Sequence, residues 1–378
     1  MIIPPFKSLS EVASFLRKEL GGKRYILLYA HNGTGKTRLS SEFKNLGKLS
    51  GERDTLYFNA FTEDLFTWDN DLEGDTERAL RINKASKFFG ALEDLEMDTQ
   101  IKEFLDPYCD FDFKILDDRV VFSRKPTAPT GTEASEAFID NIKISRGEEQ
   151  LFKWCFFLAI LRATLEREKD VKGPYDWVKY VYIDDPVSSL DEHNAIAIAN
   201  RLAGMLRESE GKLKVVISTH HALFFNVLSN EFKQDKRDKH FSQFVLSQIR
   251  DSREYVLKHE DKDTPYFQHV SLMEELHQAV QTGQLYGYHF NILRTIMEKT
   301  ATFHGHRHFS VCVRATGDVD AKLYQRMLDI LSHGPYSLFD PKEMTEDNKE
   351  NFRRIFEDFR ATYLFNPALF QSAEVPIE

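Results

Sequence analysis

The chain has 378 residues, of which 60 are acidic and 50 are basic, giving a formal net charge of −10. Its length predicts two or three domains with ample core. Its charge argues against a protein that coats nucleic acid indiscriminately, while leaving room for a local basic pocket. The cysteines, Cys109, Cys155 and Cys312, lie far apart and form no CxxC pair, which predicts free thiols in a reducing compartment. With no signal peptide and no apolar run of ~18 residues, we expect a cytoplasmic protein without a membrane span.

The first 46 residues predict an amphipathic helix at 8–20, then a buried strand, a phosphate-binding loop and a helix. The loop departs from the pattern G-x-x-x-x-G-K-[ST] only at its first glycine: Ala30-His31-Asn32-Gly33-Thr34-Gly35-Lys36-Thr37. Its glycines let backbone N–H groups surround phosphates, Lys36 reaches the β and γ phosphates, and Thr37 holds Mg²⁺. We therefore predict a nucleotide site that Asn32, Thr34 and Arg38 also contact. The alternative is a glycine-rich turn that only caps the helix.

The next hundred residues are less informative. Residues 56–60 predict a second apolar strand, residues 76–105 predict charged helices, and residues 109–145 look irregular, with proline and glycine marking loops. At 144–149 the sequence Ile-Ser-Arg-Gly-Glu-Glu precedes a long apolar helix. Ser145 and Gly147 can present backbone donors to an anion at this helix start. A capping box between Ser145 and Glu148 explains the same residues equally well.

The stretch 180–191, YVYIDDPVSSLD, predicts a strand that is buried on both faces and ends in two acids. Asp184 and Asp185 stand where open α/β sheets bind ligands, and adjacent buried acids are costly unless a cation or a reacting group uses them. The alternative is a solvated acidic turn. Asp191 precedes a helix at 192–209, and a further buried strand ends at His220. A histidine at a strand end is more often a packing or capping residue than a catalytic one.

In this order, the motifs over 30–220 resemble those of ABC-type ATPase heads. The resemblance implies that Lys36 and Thr37 hold phosphates and Mg²⁺ and that Asp184 orders the Mg²⁺ water shell. Asp185 stands where most members have a catalytic Glu; being one methylene shorter, it implies slow turnover. His220 is implied to sense the γ phosphate.

The resemblance also implies a head-to-tail homodimer with two nucleotides, ATP or GTP, between the heads. Ser145 and Gly147, with the adjoining Glu148, belong to the signature that contacts the nucleotide of the other subunit, and Asp191 belongs to the loop that crosses the dimer axis. The glutamine expected after the second strand is absent; Asn59 or Glu63 lies in that region. No long heptad arm interrupts the head, which argues against a DNA-repair ATPase.

The end of the head is predicted to be a hairpin of residues 241–246 and 254–257. We place the domain boundary near 265, with an NTPase domain at 1–265 and a mainly helical domain at 266–378. Within the second domain a helix at about 285–303 has Arg294 and Glu298 four residues apart on the border of its buried face. The simplest interpretation is an ordinary helix ion pair, although Arg before Glu is the poorer order for one.

Residues 289–315 are locally basic in an acidic chain. His304, His306 and His308 alternate there and either bind a metal or, as we favour, are exposed loop residues, because no carboxylate or cysteine completes a ligand set. A further helix is predicted to end at Ser332, followed by His333-Gly334-Pro335, where the helix C-terminus favours a protonated imidazole. Glu298, Arg294 and His333 would together be sufficient for metal-free RNA cleavage.

Nearly the whole chain resembles the PrrC-type anticodon nucleases, through long ungapped segments: YAHNGTGKTRLS, NAFTEDLFTWDND, YVYIDDPVSSLD and YHFNILRTIMEKTATF. The resemblance implies an α/β fold, an ABC-type P-loop NTPase head with a C-terminal mainly α-helical nuclease domain. It implies a nuclease triad of Arg294, Glu298 and His333 that cuts a tRNA anticodon loop without metal and leaves 2′,3′-cyclic phosphate and 5′-OH ends. It further implies an NTP-gated enzyme of phage defence, silenced by a type I restriction–modification complex.

The loop at 300–320 departs from the family, so tRNA choice is left open. The alternative function is an NTPase sensor or scaffold that regulates a separate effector and has no nuclease activity of its own.

Overall fold

A computed structural model of the protein describes residues 3–49, 53–59, 65–69, 79–83, 97–124, 139–166, 173–187, 190–209, 213–234, 240–249, 253–260, 268–313 and 343–370. The chain divides into two compact units, residues 1–264 and residues 265–378. The assignment of an NTPase activity to the first unit and a nuclease activity to the second stays a prediction.

The first unit is built on a six-stranded sheet in the order β11-β10-β1-β9-β8-β2. Strands β2, β8, β9, β1 and β10 run parallel, and β11 closes the edge antiparallel to β10, which confirms the predicted hairpin. Apolar runs fill the central strands because their side chains are buried, as parallel sheets require. The strands are β1 Tyr25–Ala30, β2 Thr55–Asn59, β8 Tyr180–Asp184, β9 Lys214–Thr219, β10 Phe241–Gln248 and β11 Tyr255–His259.

The described part of the first unit also contains the helices α1 Leu9–Glu19, α2 Lys36–Leu49, α3 Met97–Leu105, α4 Arg146–Leu165, α5 Glu192–Glu208 and α6 Ala222–Gln234. Helix α4 is buried along most of its length, as expected for a helix that is apolar on every side. Its Trp154 ring lies 5.2 Å from Phe58 of the main sheet, and its Phe152 ring lies 5.2 Å from Phe113 of a second sheet. The aromatic side chains of α4 therefore join the two sheets.

The second sheet corrects two predictions. Residues 76–105 were expected to be helical, which α3 confirms for Met97–Leu105, and residues 109–145 were expected to be irregular. An antiparallel sheet in the order β3-β4-β6-β5, with β7 paired to β6, occupies other parts of both ranges. Its strands are β3 Phe66–Asp69, β4 Ala79–Ile82, β5 Phe111–Ile115, β6 Arg119–Arg124 and β7 Ile139–Asp140. These strands are short and carry many charges, and their apolar face is defined by contact with α4 rather than by local sequence.

The second unit is helical where the structure describes it, with α7 Gln268–Thr282, α8 Tyr288–Phe303 and α9 Glu346–Thr362, and 3-10 turns at Phe309–Cys312 and Pro367–Phe370. Its core joins α8 to α9, where the rings of Phe290 and Phe352 meet edge to face at 5.1 Å. His289 is buried on α8. The predicted helix ending at Ser332 lies outside the described residues. Among the described helices, none is long and apolar enough to cross a bilayer.

Candidate nucleotide and nuclease sites

The phosphate-binding loop has the backbone that its glycines require. Gly33 and Gly35 adopt φ angles of +83° and +102°, a region that side chains with a Cβ rarely occupy. A Cβ on Gly35 would also come within 3.0 Å of Leu9 Cδ1, so the Leu9 side chain of α1 would have to shift to admit it. Thr34 N donates to His31 O and closes the turn. The loop thus carries the strand β1 into α2 with the predicted conformation.

Lys36 points back into this loop and is 7% exposed. Its Nζ donates to Ala30 O at 3.1 Å and to Asn32 Oδ1 at 3.2 Å, and lies 3.6 Å from Asp185 Oδ2. A buried ammonium surrounded by neutral oxygens and one carboxylate can exchange these partners for phosphate oxygens without losing charge compensation. Arg38, two residues further along α2, is exposed.

Asp184 ends β8 and is 1% exposed, aligned with Asn59 on β2 and Ser218 on β9. Its carboxylate accepts a hydrogen bond from Ser218 Oγ at 2.6 Å and a long one from Asn59 Nδ2 at 3.5 Å. Burial raises the pKa of Asp184 above its ordinary value, although the hydrogen bond from Ser218 and the nearby Thr37 side chain oppose the shift. This carboxylate therefore lies in a place where a cation would relieve an electrostatic cost.

These donors fit the Mg²⁺ that the family implies. Magnesium prefers oxygen ligands, and Thr37 and Asp184 present a hydroxyl and a buried carboxylate near each other. Thr37 and Asp184 would hold the ion, directly or through its waters. When bound, Mg²⁺ neutralises developing charge on the transferred phosphoryl group. Among the residues that the structure describes, no three or more His, Cys, Asp or Glu side chains are grouped so that they could hold a metal. The side chains of His304, His306 and His308 therefore form no such group.

Asp185 follows Asp184 in a left-handed conformation, with φ +54°. Its amide donates to Ser218 O at 2.7 Å, and its carboxylate accepts bonds from Thr219 Oγ1 and His220 N, both at 3.2 Å. His220 Nδ1 lies 2.5 Å from Asp185 Oδ2. Burial alone would raise the pKa of Asp185, but the bonds and charge from His220 and the charge of Lys36 bring it below its ordinary value. The Asp185 carboxylate therefore stays ionised, as a base for water requires.

The predicted signature begins α4 as a capping box. Ser145 Oγ accepts from Glu148 N at 3.3 Å, and Glu148 Oε2 accepts from Ser145 N at 2.7 Å. Glu148 also pairs with Arg124 at 2.6 Å. A Cβ built on Gly147 would meet no atom within 4 Å, so this glycine fits an open surface rather than a packing constraint. Ser145 and Glu148 therefore form the capping box that the sequence allowed. Contact of Ser145 and Gly147 with a second head stays a prediction.

Asp191 caps α5 by accepting a hydrogen bond from Asn194 N at 2.8 Å. It is exposed, and the structure assigns it no role beyond this cap. Its place in a loop that crosses a dimer axis stays a prediction.

Arg294 and Glu298 form an ion pair on α8, with Arg294 Nε 2.8 Å from Glu298 Oε1. The Arg294 guanidinium also lies over the Phe309 ring, 5.0 Å from its centroid, which holds the arginine in place. The pair faces an open pocket of about 460 Å³, lined by Arg294, Glu298, Thr302, Arg307, His308, Phe309 and Ser310. Two of the three predicted nuclease residues therefore meet, and they do so at a concave surface.

Residues 139–359 match the family described as an AAA domain. The chain is also 32% identical over 398 residues to an anticodon nuclease of Escherichia coli, with 94% of this chain and 96% of that protein covered.

The chain belongs to the anticodon nuclease family.

The comparison with solved structures found weaker matches, among them an SMC head domain from Thermotoga maritima, 12% identical with a TM-score of 0.32, covering 63% of this chain and 91% of that one. Another is an Smc head domain with an extended coiled coil, bound to the C-terminal domain of ScpA derived from Pyrococcus furiosus. It is 12% identical with a TM-score of 0.27, covering 66% of this chain and 50% of that one.

The predicted fold class is confirmed for this member of the anticodon nuclease family: it has an α/β P-loop NTPase fold followed by a helical region. The third predicted nuclease residue, His333, lies outside the described residues, as does Glu63. The structure adds polar residues that we did not predict, Ser218, Thr219 and Tyr57. Each of these residues places a hydroxyl in a mostly apolar strand, next to the carboxylates. This pattern is the signal in the sequence that could have identified them.

Tyr57 lies beneath Asp184. Its hydroxyl accepts from Asn59 Nδ2 at 3.0 Å and from Ser40 Oγ at 3.1 Å. Burial and the charge of Asp184 raise the pKa of Tyr57 to about 12, so the phenol stays protonated. Asn59, one of two candidates for the missing glutamine, therefore belongs to this supporting network.

Proposed function

We propose that the protein is a tRNA anticodon-loop endoribonuclease whose activity is gated by nucleoside triphosphate in its head. The observation that supports this best is the Arg294–Glu298 pair at the mouth of a pocket, in a chain that aligns end to end with an anticodon nuclease. An ion pair alone would not support it, since such pairs are common on helices.

The chemistry follows from the residue types. The Glu298 carboxylate takes the proton from a ribose 2′-OH, and the 2′ oxygen attacks the adjacent phosphorus. Arg294 neutralises the charge that develops on the phosphorane oxygens, and the P–O5′ bond breaks as His333 donates a proton to the leaving oxygen. The products are a 2′,3′-cyclic phosphate and a 5′-OH. These three side chains supply the base, the acid and the charge, so the proposed step needs no metal.

Glu298 suits the role of base because its side chain is 49% exposed and can reach a substrate. Arg294 is held against Phe309 and is less exposed, which suits a fixed electrostatic role rather than proton transfer.

The head would bind ATP or GTP with Mg²⁺ at Lys36, Thr37 and Asp184. Asp185 would orient the attacking water, and His220, bonded to Asp185 through Nδ1, would contact the γ phosphate. Because Asp185 is shorter than the usual Glu, we expect slow hydrolysis. Two heads would close on two nucleotides through the Ser145–Gly147 surface of each partner, and this closure would switch on the nuclease.

This function implies a cytoplasmic protein of phage defence that must be silent until infection. As in the family that the sequence resembles, we propose that a type I restriction–modification complex holds it silent.

The test is brief expression in cells followed by end-mapping of all tRNAs. We expect breaks in one anticodon loop, with fragments that carry a 2′,3′-cyclic phosphate and become ligatable only after its removal. The His333→Ala variant should lose both breaks and toxicity while still binding nucleotide. Toxicity that persists in this variant would favour a head that regulates a separate effector.

A further inference from the structure

Helix α8 ends in an exposed aromatic side chain. Phe303, its last residue, is 88% exposed, and its ring makes an edge contact with His304 at 5.6 Å between centroids. A single exposed apolar side chain needs no explanation on its own. The position and the neighbours of this ring are what distinguish it.

Phe303 belongs to the helix surface that adjoins the Arg294–Glu298 pair. Arg294, Glu298 and Thr302 follow one another at intervals of four, and Lys299 and Phe303 repeat this spacing one residue further on. A shallow depression of about 300 Å³ joins the two strips, because Thr295, Glu298, Lys299 and Thr302 all line it. The surface from the proposed reaction centre to the Phe303 strip is therefore continuous.

The loop after Phe303 is held in one conformation. Gly305 has φ +78°, and two hydrogen bonds, Gly305 N to Thr302 O at 2.9 Å and His306 N to Ala301 O at 2.8 Å, close the helix in the manner of a Schellman motif. The chain then returns to the helix, where Phe309 is buried. This return brings Arg307 and His308 to the pocket that Arg294 and Glu298 line.

The charge of this surface is positive in a chain of net charge −10. Lys299 and Arg307 are both exposed, and they come before and after Phe303 in the sequence. The same segment contains His304, His306 and His308, and Glu298 is the acidic residue between positions 294 and 308. Proteins recognise unpaired RNA bases by stacking them on an aromatic ring while nearby cations hold the phosphates. The bases of an anticodon loop are unpaired, so this surface offers the two features that such a loop needs: an aromatic ring for a base and cations for the phosphates.

We infer that Phe303 stacks on an unpaired base next to the bond that is cut, with Lys299 and Arg307 on the flanking phosphates. This inference rests on the proposed nuclease function and adds a positioning residue for the RNA.

The test is steady-state cleavage of an anticodon stem–loop of the tRNA found by end-mapping, using the full-length protein with NTP. Loss of one stacking contact should lower kcat/KM about tenfold to a hundredfold in Phe303→Ala, mainly through KM. Phe303→Trp should keep wild-type kcat/KM, whereas Phe303→Leu, which is apolar but has no π face, should behave like Phe303→Ala. Ile249→Ala, which removes an exposed apolar side chain in the first unit, is the matched control and should cleave normally.

Three results would overturn the inference: wild-type kcat/KM in Phe303→Ala, full activity in Phe303→Leu, or a clear drop in melting temperature in Phe303→Ala, which would mean that the ring packs within the fold. Failure of the proposed function looks different, since wild-type protein itself would then leave the stem–loop intact.

Discussion

The two candidate sites differ in how completely the fold has built them. At the nucleotide site, Lys36, Asp184 and Asp185 are 7%, 1% and 6% exposed, and strand ends from one sheet edge hold them against each other. On α8, Glu298 is 49% exposed and its bonded partner is Arg294, one turn away on the same helix. The first is a dense network of buried polar groups; the second is a pair of side chains on an open surface.

The difference follows from what each site must do. Buried charges are costly unless compensated, so the nucleotide site can exist only as a closed network into which phosphates and a cation substitute. An exposed ion pair contributes ~0–1 kcal/mol to stability and is free to exchange its partner for substrate. Removing a group from the first site should therefore affect folding and nucleotide chemistry, whereas the second site should lose activity alone.

The largest effect is expected for Glu298→Gln. Loss of a general base should lower RNA cleavage roughly a thousandfold, within the usual range for such groups, without changing NTP hydrolysis or the melting temperature. Glu357→Gln is the matched control, because Glu357 forms a comparable ion pair with Arg360 on α9. Comparable losses of cleavage in both variants would show that the Arg294–Glu298 pair is merely structural.

Asp185→Asn should lower NTP hydrolysis about a hundredfold, because the amide cannot accept a proton from water. Asparagine tolerates the left-handed backbone at this position, so the conformation should be kept. NTP affinity should be unchanged or higher, since a negative charge near the phosphates is removed. Asp118→Asn, in an exposed ion pair with Arg81, provides the control; hydrolysis at the wild-type rate in Asp185→Asn would exclude Asp185 as the base.

Lys36→Ala should weaken NTP binding by roughly thirtyfold or more, measured with a fluorescent analogue, because a buried charge-assisted contact to phosphate is lost. It should also destabilise the protein, since Asp185 loses a nearby cation. Lys48→Ala, on the exposed end of α2, should change neither property. Unaltered affinity in Lys36→Ala would contradict the nucleotide site.

The smallest effect is expected for His289, a buried residue on the same helix as the exposed Arg294–Glu298 pair. His289 accepts a hydrogen bond from Tyr286 N at 3.0 Å through Nδ1, and burial lowers the pKa of His289 to about 4. Below pH ~6.5 this histidine is protonated in the unfolded chain but stays neutral in the folded state. The free energy of unfolding should therefore fall by about 2 kcal/mol between pH 7 and pH 5.

His289→Asn keeps a hydrogen-bond acceptor but does not titrate. Its denaturant unfolding should therefore lose this part of the pH dependence, whereas His304→Gln, at an exposed position, should retain it. Equal pH dependence in His289→Asn and the wild type would contradict the account of this histidine.

The contrast also explains what the sequence could predict. Strands β1, β8 and β9 are continuous apolar runs, so their ends, and with them Lys36, Asp184 and His220, could be placed on one edge. Strand β5, FDFKI, alternates apolar and charged residues and could have been recognised, but β3 and β4 have only four residues each. Their burial depends on Phe152 and its neighbours in α4, distant in sequence, which no local pattern reveals.

The nuclease pair was predictable for a different reason. Helical spacing brings Arg294 and Glu298 together whatever the tertiary fold, whereas the return of the loop to place Arg307 and Phe309 beside them depends on Gly305 and on packing. Spacing could not connect His333 to this pair, and the proposal of a triad rests on family resemblance.

The most direct measurement of the central claim uses purified protein, total tRNA and NTP with Mg²⁺, and follows the position and end chemistry of each break with and without NTP. The account predicts cleavage in one anticodon loop with 2′,3′-cyclic phosphate ends, dependent on NTP and absent in Glu298→Gln. Intact tRNA in every condition, from protein that still hydrolyses NTP, would contradict it.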